Sequence, residues 1–91
     1  MKLEVSSDRL LEVIKEAKSH LEISDYWWEA YQDSNETDSA ALRFFREDER
    51  ISRAMLQTVE MLTGIYVPNR LVSIENVINA IEAGEEIPQY V

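Results

Sequence analysis

Apolar residues recur along the first part of this chain at the spacing of an α-helix. From Leu10 to Tyr31 they stand alternately four and three positions apart, and only a continuous helix keeps such positions on one stripe. The helix could break at Ser24-Asp25, because both residues also cap helices well. We predict one helix over about residues 7–33, roughly 40 Å long at about 1.5 Å per residue. The stripe consists of Leu10, Ile14, Ala17, Leu21, Ser24, Trp28 and Tyr31.

A second helical pattern follows a short polar stretch. Residues 34–37 carry no apolar side chain and predict a turn, after which Thr37 or Asp38 can cap a new helix. This helix is expected over about residues 38–64, with Gly64 as its left-handed C-terminal residue. Two helices of nearly equal length and a short turn predict a long antiparallel hairpin. The apolar face of the second helix consists of Ala41, Phe44, Phe45, Ile51, Met55, Val59, Leu62 and Tyr66, with Leu56 at its edge.

The last third of the chain predicts a short C-terminal helix. A connector over residues 65–72 leads to Ser73, whose hydroxyl can cap a helix over about residues 73–83 that stops at Gly84. Its β-branched residues give it weak helix propensity, so packing must hold it. The tail over residues 84–91 could dock through its apolar side chains, which are Ile87, Tyr90 and Val91.

The fold is therefore expected to be all-α, a single domain over residues 1–91 that combines the hairpin with a short C-terminal helix. At the N-terminus, Met1–Val5 alternates apolar and polar residues. That segment is too short to assign to a strand rather than to a frayed arm.

Composition narrows the functional classes. The chain carries 18 acidic against 9 basic residues, a net charge of −9, which disfavours direct binding to nucleic acid or to an anionic membrane. It has no cysteine, so neither a disulfide framework nor a thiolate metal site is expected. The first ten residues hold no signal-peptide core and no apolar run approaches the roughly 18 residues of a membrane span. We expect a cytoplasmic protein.

Aromatic residues concentrate near the predicted turn. The short third helix follows Gly64 and most easily covers the opposite end of the hairpin, which leaves the aromatic end open. A large exposed apolar patch usually marks an interface, and twofold pairing is its commonest form. We therefore expect a homodimer that forms a four-helix bundle; the alternative is a monomer whose third helix folds over the aromatic residues. The candidate interface residues are Trp27, Trp28, Tyr31, Phe44 and Phe45.

Two charged rows accompany the hairpin. An acidic row on the first helix consists of Glu22, Asp25, Glu29 and Asp33, and a basic row on the second consists of Arg43, Arg46, Arg50 and Arg53. The arginines could bind phosphate or carboxylate groups through their bidentate geometry. They could equally form a solvated face or part of a protein interface, with helical pairs such as Glu49–Arg53.

Polar residues interrupt the apolar stripes of both helices. Asp48 and Ser52 on the second helix are expected to face Ser24 and, more laterally, His20 on the first. This layer could set the register of the helices, as polar core positions do in coiled coils, or could supply a catalytic base and its orienting carboxylate. With one histidine and no glycine-rich loop, we assign no catalytic residue. A helical magnesium site needs acidic pairs three residues apart on two facing helices; Glu12 and Glu16 have the wrong spacing, and Glu22 with Asp25 stands alone, so we predict no metal and no cofactor.

A helical hairpin with tryptophan near its turn superficially resembles the WXG family of small secreted hairpins, which dimerise into four-helix bundles. The segment Trp27-Trp28-Glu29 lacks the glycine of that motif, so no property of the family is carried over. The leading hypothesis is a non-enzymatic module, of the kind of a small bacterial or phage accessory protein, that binds an unidentified protein partner. The alternatives are an acidic mimic of nucleic acid that binds a nucleic-acid-binding protein, and an enzyme that uses His20 and Asp48.

Overall fold

The computed structural model describes residues 6–90, which form an all-helical fold with no strand. The helices are α1 (Ser7–Asp33), α2 (Ser39–Thr63) and α3 (Leu71–Ala83). The predicted all-α class is thus confirmed. The predictions made for Met1–Val5 and Val91 lie outside the described residues. Within residues 6–90, no helix is both long enough and apolar enough to cross a membrane.

Side-chain caps define where the two long helices begin. Ser6 precedes α1, and its hydroxyl accepts a hydrogen bond from the backbone N–H of Arg9. Asp38 precedes α2, and its carboxylate accepts the N–H of Ala41 at 3.1 Å. α2 ends at Gly64, whose φ of 79° is the left-handed conformation that glycine adopts without steric cost.

The turn between α1 and α2 is stabilised by Ser34. Its hydroxyl donates to the carbonyl of Tyr31 at 2.6 Å and accepts the backbone N–H of Asp38 at 3.0 Å. Between these two bonds, Asn35 and Glu36 both adopt positive φ, near 60°. The chain therefore reverses over a few residues, and α2 starts directly beside the end of α1.

α1 runs unbroken through Ser24-Asp25 and packs along α2. Trp27 meets Phe44 near the turn, and His20 meets Asp48 near the middle, which is the pairing of an antiparallel hairpin. The buried face of α2 differs from the predicted one: Leu56 belongs to the core rather than to its edge, whereas Ile51 and Leu62 are exposed. The buried residues of the hairpin are Leu10, Ile14, Ala17, Leu21, Ser24, Ala41, Ser52, Leu56 and Val59.

α3 packs on α1, on the half of the hairpin away from the turn. Its buried side chains are Ile74, Val77 and Ile78, and two ion pairs flank them: Lys15 with Glu82 at 3.2 Å and Lys18 with Glu75 at 3.5 Å. Branched side chains are thus held by packing rather than by helix propensity.

The predicted role of Ser73 is wrong. α3 begins at Leu71, two residues earlier than expected, and Arg70 precedes it without a side-chain cap. Ser73 instead lies buried within the first turn of α3. The helix starts before Ser73 for two reasons. Leu71 packs against the core, and the N–H of Ile74 donates a hydrogen bond to the carbonyl of Arg70.

The connector and the tail complete the core at the end opposite the turn. Val67 is buried, and Ile87 and Tyr90 are partly buried against the same cluster. The hydroxyl of Tyr90 also accepts a weak hydrogen bond from the Asn76 side chain at 3.4 Å. The chain after Gly64 thus covers one end of the hairpin and leaves the turn end without a third layer.

We expect Ile74→Ala to lower the free energy of unfolding by about 2–5 kcal/mol, because a fully buried side chain is removed from the contact between α3 and α1. Val72→Ala is the matched control: Val72 is 71% exposed in the same helix turn, and its loss should change stability by less than about 0.5 kcal/mol. Urea denaturation followed by circular dichroism measures both. Equal effects of the two substitutions would show that α3 is not part of the folded core.

Candidate interaction surfaces

The aromatic residues near the turn form two separate clusters. Trp27 contacts Tyr26 edge-on, with ring centroids 5.1 Å apart, and Phe44 at 5.0 Å. Trp28 contacts Phe45 at 4.9 Å and Tyr31 at 5.7 Å. Successive residues of a helix point about 100° apart, so the two tryptophans, like the two phenylalanines, lie on opposite sides of the seam between α1 and α2.

The first cluster continues into an exposed apolar surface along the hairpin, which we call the open face. Phe44, Ile51 and Leu62 stand seven and eleven positions apart on α2, so they share one side of that helix. Ile23 and Trp27 occupy the adjoining side of α1. All but Trp27 are exposed to solvent, and α3 packs on the other side of α1, beside Lys15 and Lys18. The open face consists of Ile23, Trp27, Phe44, Ile51 and Leu62.

The sequence predicted the aromatic part of the open face but missed its extension. Ile51 and Leu62 were assigned to the contact between the helices, and Ile23 was not assigned to any surface. The seven-residue spacing from Phe44 to Ile51 could have revealed this surface. It marks a second apolar stripe on α2, rotated by about 60–80° around the helix axis from the buried stripe of Ala41, Ser52 and Val59.

The second cluster lies on the same side of the hairpin as α3, in the part that α3 leaves uncovered. We call it the notch; it consists of Trp28, Tyr31 and Phe45. Asp25 and Glu29, three residues before and one residue after Trp28, are exposed on its α1 border. Trp28 is exposed, whereas Tyr31 and Phe45 are half-buried.

The four residues of the predicted polar layer take part in three separate interactions. Nδ1 of His20 lies 3.1 Å from Oδ1 of Asp48, and both side chains are about one quarter exposed or less. Ser24 is fully buried and donates to the backbone carbonyl of Phe45 at 3.2 Å. Ser52 is fully buried as well, and it donates to Oδ1 of Asn69 in the connector at 2.7 Å.

These partners separate the serines from the histidine. Each serine hydroxyl donates to a group other than His20, and Asp48 is the partner of the histidine alone. The sequence does not predict the contact of Asn69 with Ser52, because the connector has no helical or strand periodicity that would place Asn69 beside α2. The layer ties the three parts of the chain together: α1 to α2 twice, and α2 to the connector.

The two charged rows do not pair with each other within the described residues. Arg53 pairs with Glu49, one helical turn away, as predicted from the spacing. Arg43 lies over the ring of Phe44, with its guanidinium carbon 5.4 Å from the ring centroid, at the border of the open face. Arg46 and Arg50 are exposed on the outer surface of α2. The acidic row is exposed along its whole length; it consists of Glu22, Asp25, Glu29 and Asp33.

No known family model, curated protein or solved structure matches this chain. Over residues 6–90 the acidic and histidine side chains also form no group of three that could hold a metal ion.

We expect Ser52→Ala to cost about 1–2 kcal/mol of unfolding free energy, because the side-chain oxygen of Asn69 loses its only hydrogen-bond donor within the described residues. Ser24→Ala should cost less, under about 1 kcal/mol, since the carbonyl of Phe45 lies inside α2 and keeps its helical hydrogen bond. Chemical denaturation of the two variants gives the comparison. The reverse order would contradict the role assigned to Ser52 in holding the connector.

Proposed function

We propose that this protein is a non-enzymatic protein–protein interaction module that works as a homodimer, in which two hairpins join through the open face to make a four-helix bundle. The observation that carries the proposal is the exposure of Ile23, Phe44, Ile51 and Leu62 on one side of the hairpin. Large apolar side chains that are exposed together on one side of a protein usually mark an interface.

The side of the hairpin that carries the open face is large enough to pair with a second copy. The molecule measures 45 × 25 × 24 Å, and α1 and α2 lie side by side along its length. Two helices, each about 10 Å wide and about 40 Å long, present roughly 800 Å², which is the area that each partner contributes to a stable interface. In a dimer with a twofold axis, the open face of each copy is buried against the open face of the other.

The His20–Asp48 pair gives this dimer a means of selecting its register. Val13, His20 and Trp27 stand seven residues apart, so the pair lies among the apolar side chains of the open face rather than at its edge. A partner that placed an apolar side chain over the pair would desolvate its polar atoms without compensation. Registers that leave the pair near polar groups or water are therefore favoured.

The polar layer supports a structural role over a catalytic one. A hydrolytic site needs a nucleophile within hydrogen-bond reach of its base, and both buried serines donate elsewhere, to Phe45 and to Asn69. We propose that His20 and Asp48 set specificity and that the protein catalyses no reaction. A cytoplasmic location is part of the same proposal, since a chain without cysteine is suited to a reducing compartment.

The acidic row favours a second candidate function, a mimic of nucleic acid that occupies the basic groove of a nucleic-acid-binding protein. Glu22, Asp25 and Glu29 are exposed and place a charge about once per helical turn. The exposed arginine row weighs against it, because a mimic gains nothing from clustered cations. Salt separates the two: a mimic's complex weakens steeply as ionic strength rises, whereas an interface anchored by apolar side chains hardly responds.

We expect Ile51→Arg to convert the dimer to a monomer. The substitution places a charge at the middle of the open face, and Ile51 is 36% exposed in the single subunit, so the monomer should keep its fold. Val72→Arg is the matched control: Val72 is a branched residue that is even more exposed, on α3 and away from the open face.

Sedimentation equilibrium at micromolar concentrations measures the oligomeric state, and circular dichroism checks the helix content. The unmodified chain and Val72→Arg should sediment as dimers, and Ile51→Arg as a folded monomer. A monomeric unmodified chain, or a dimer that survives Ile51→Arg, would overturn the proposed pairing.

A further inference from the structure

The side of α1 that receives α3 carries one continuous charged stripe whose sign changes along its length. Its members stand three and four positions apart, so they form a single line on the helix surface. They are Lys15, Lys18, Glu22, Asp25 and Glu29.

α3 is matched to the basic part of this stripe. Its apolar residues Ile74 and Val77 are buried in the core while Glu75 and Glu82 pair with Lys18 and Lys15. The contact therefore combines a branched apolar row with a charged row of opposite sign. It shows what kind of helix this side of α1 accepts.

Between α3 and the turn, the same side of α1 again presents apolar side chains, but the charged residues beside them are acidic instead of basic. The apolar side chains belong to the notch of Trp28, Tyr31 and Phe45, and the adjoining charges are Asp25 and Glu29. Within the described residues these acids make no ion pair. No lysine or arginine occurs between Lys18 and Arg43, so α1 cannot neutralise them locally.

We propose that the notch binds a helix of another protein that carries apolar residues on one stripe and lysine or arginine on the flank facing α1. The proposal rests on the assigned interaction role and names the partner's chemistry. The partner helix lies in line with α3 and repeats its mode of binding with the charges reversed. From Asp25 to Asp33 the site spans about 13 Å, which is room for a helix of two to three turns.

Charge also orients this partner. On the α1 border of the notch, Asp25 and Glu29 make no ion pair within the described residues, whereas on α2 Glu49 is already paired with Arg53. The basic flank of the partner helix is therefore attracted to α1 rather than to α2. The aromatic side chains of the notch supply the apolar contact, as is usual for grooves that accept amphipathic helices.

The two tryptophans provide a direct readout, because each belongs to a different surface. Trp27→Phe leaves Trp28 as the sole tryptophan, which reports on the notch, whereas Trp28→Phe leaves Trp27, which reports on the open face. The probe is a synthetic amphipathic helix of roughly 14 residues, whose central two to three turns carry leucines at i, i+3, i+4 and i+7 and lysines along one flank, and whose ends extend beyond the notch. A second peptide has glutamates in place of the lysines.

We expect the lysine peptide to shift the emission of Trp28 but not that of Trp27, and to bind at least tenfold more tightly than the glutamate peptide. Asp25→Lys combined with Glu29→Lys should weaken its binding at least tenfold. Glu12→Lys combined with Glu16→Lys makes the same change in net charge elsewhere on α1 and should leave binding unchanged.

Equal affinity for both peptides, a shift of Trp27 alone, or no binding of the lysine peptide at millimolar concentration would each overturn the inference. If the lysine peptide bound equally well to the Glu12→Lys/Glu16→Lys and Asp25→Lys/Glu29→Lys variants, the attraction would be to net charge and the notch would not be the site. A complex that loses nearly all affinity at high salt would indicate the nucleic-acid mimic instead of a helix seated on aromatic residues.

This test is independent of the dimer. The Ile51→Arg monomer should bind the lysine peptide as the unmodified chain does, because Ile51 lies on the other side of the hairpin. An unmodified chain that is monomeric but binds the lysine peptide would therefore fault only the proposed pairing. A stable dimer without peptide binding would fault only the notch.

Discussion

A pair of long helices has two lateral sides, and within residues 6–90 a third element covers only part of one of them. α1 carries apolar residues around more of its circumference than α2 can cover, so something must pack on each side. α3 and the tail fill the half of one side that lies away from the turn. The open face and the notch are the parts of the two sides that remain uncovered by α3 and the tail.

The two uncovered surfaces differ in character. The open face runs along the hairpin and is bordered by Arg43 over the ring of Phe44, with the His20–Asp48 pair among its apolar side chains. It suits a partner of the same length and shape, which a second copy provides. The notch is short, aromatic and acidic on its α1 border, and it suits one short basic helix. A dimer through the first surface would leave the second free, once in each subunit.

Buried polar groups link the parts of the fold to one another. Ser24 donates to the backbone of α2, and Ser52 donates to Asn69 of the connector, so the connector is attached to α2 shortly before α3 begins. No buried side-chain nitrogen or oxygen over residues 6–90 lacks a hydrogen-bond partner. A layer that is satisfied in this way avoids the desolvation cost of an unpaired group.

Local signals in the sequence predict the two long helices and the turn between them: the helical spacing, the Asp38 cap and the left-handed Gly64. The aromatic residues near the turn and the polar residues between the helices are visible in the sequence as well. The pattern does not show that Trp27 and Trp28 belong to different surfaces, that Leu56 is core while Ile51 is exposed, or that Ser73 is buried rather than a cap. Periodicity gives the width of an apolar band, whereas the rotation of α2 about its axis and the position of α3 depend on which side chains pack together across the hairpin.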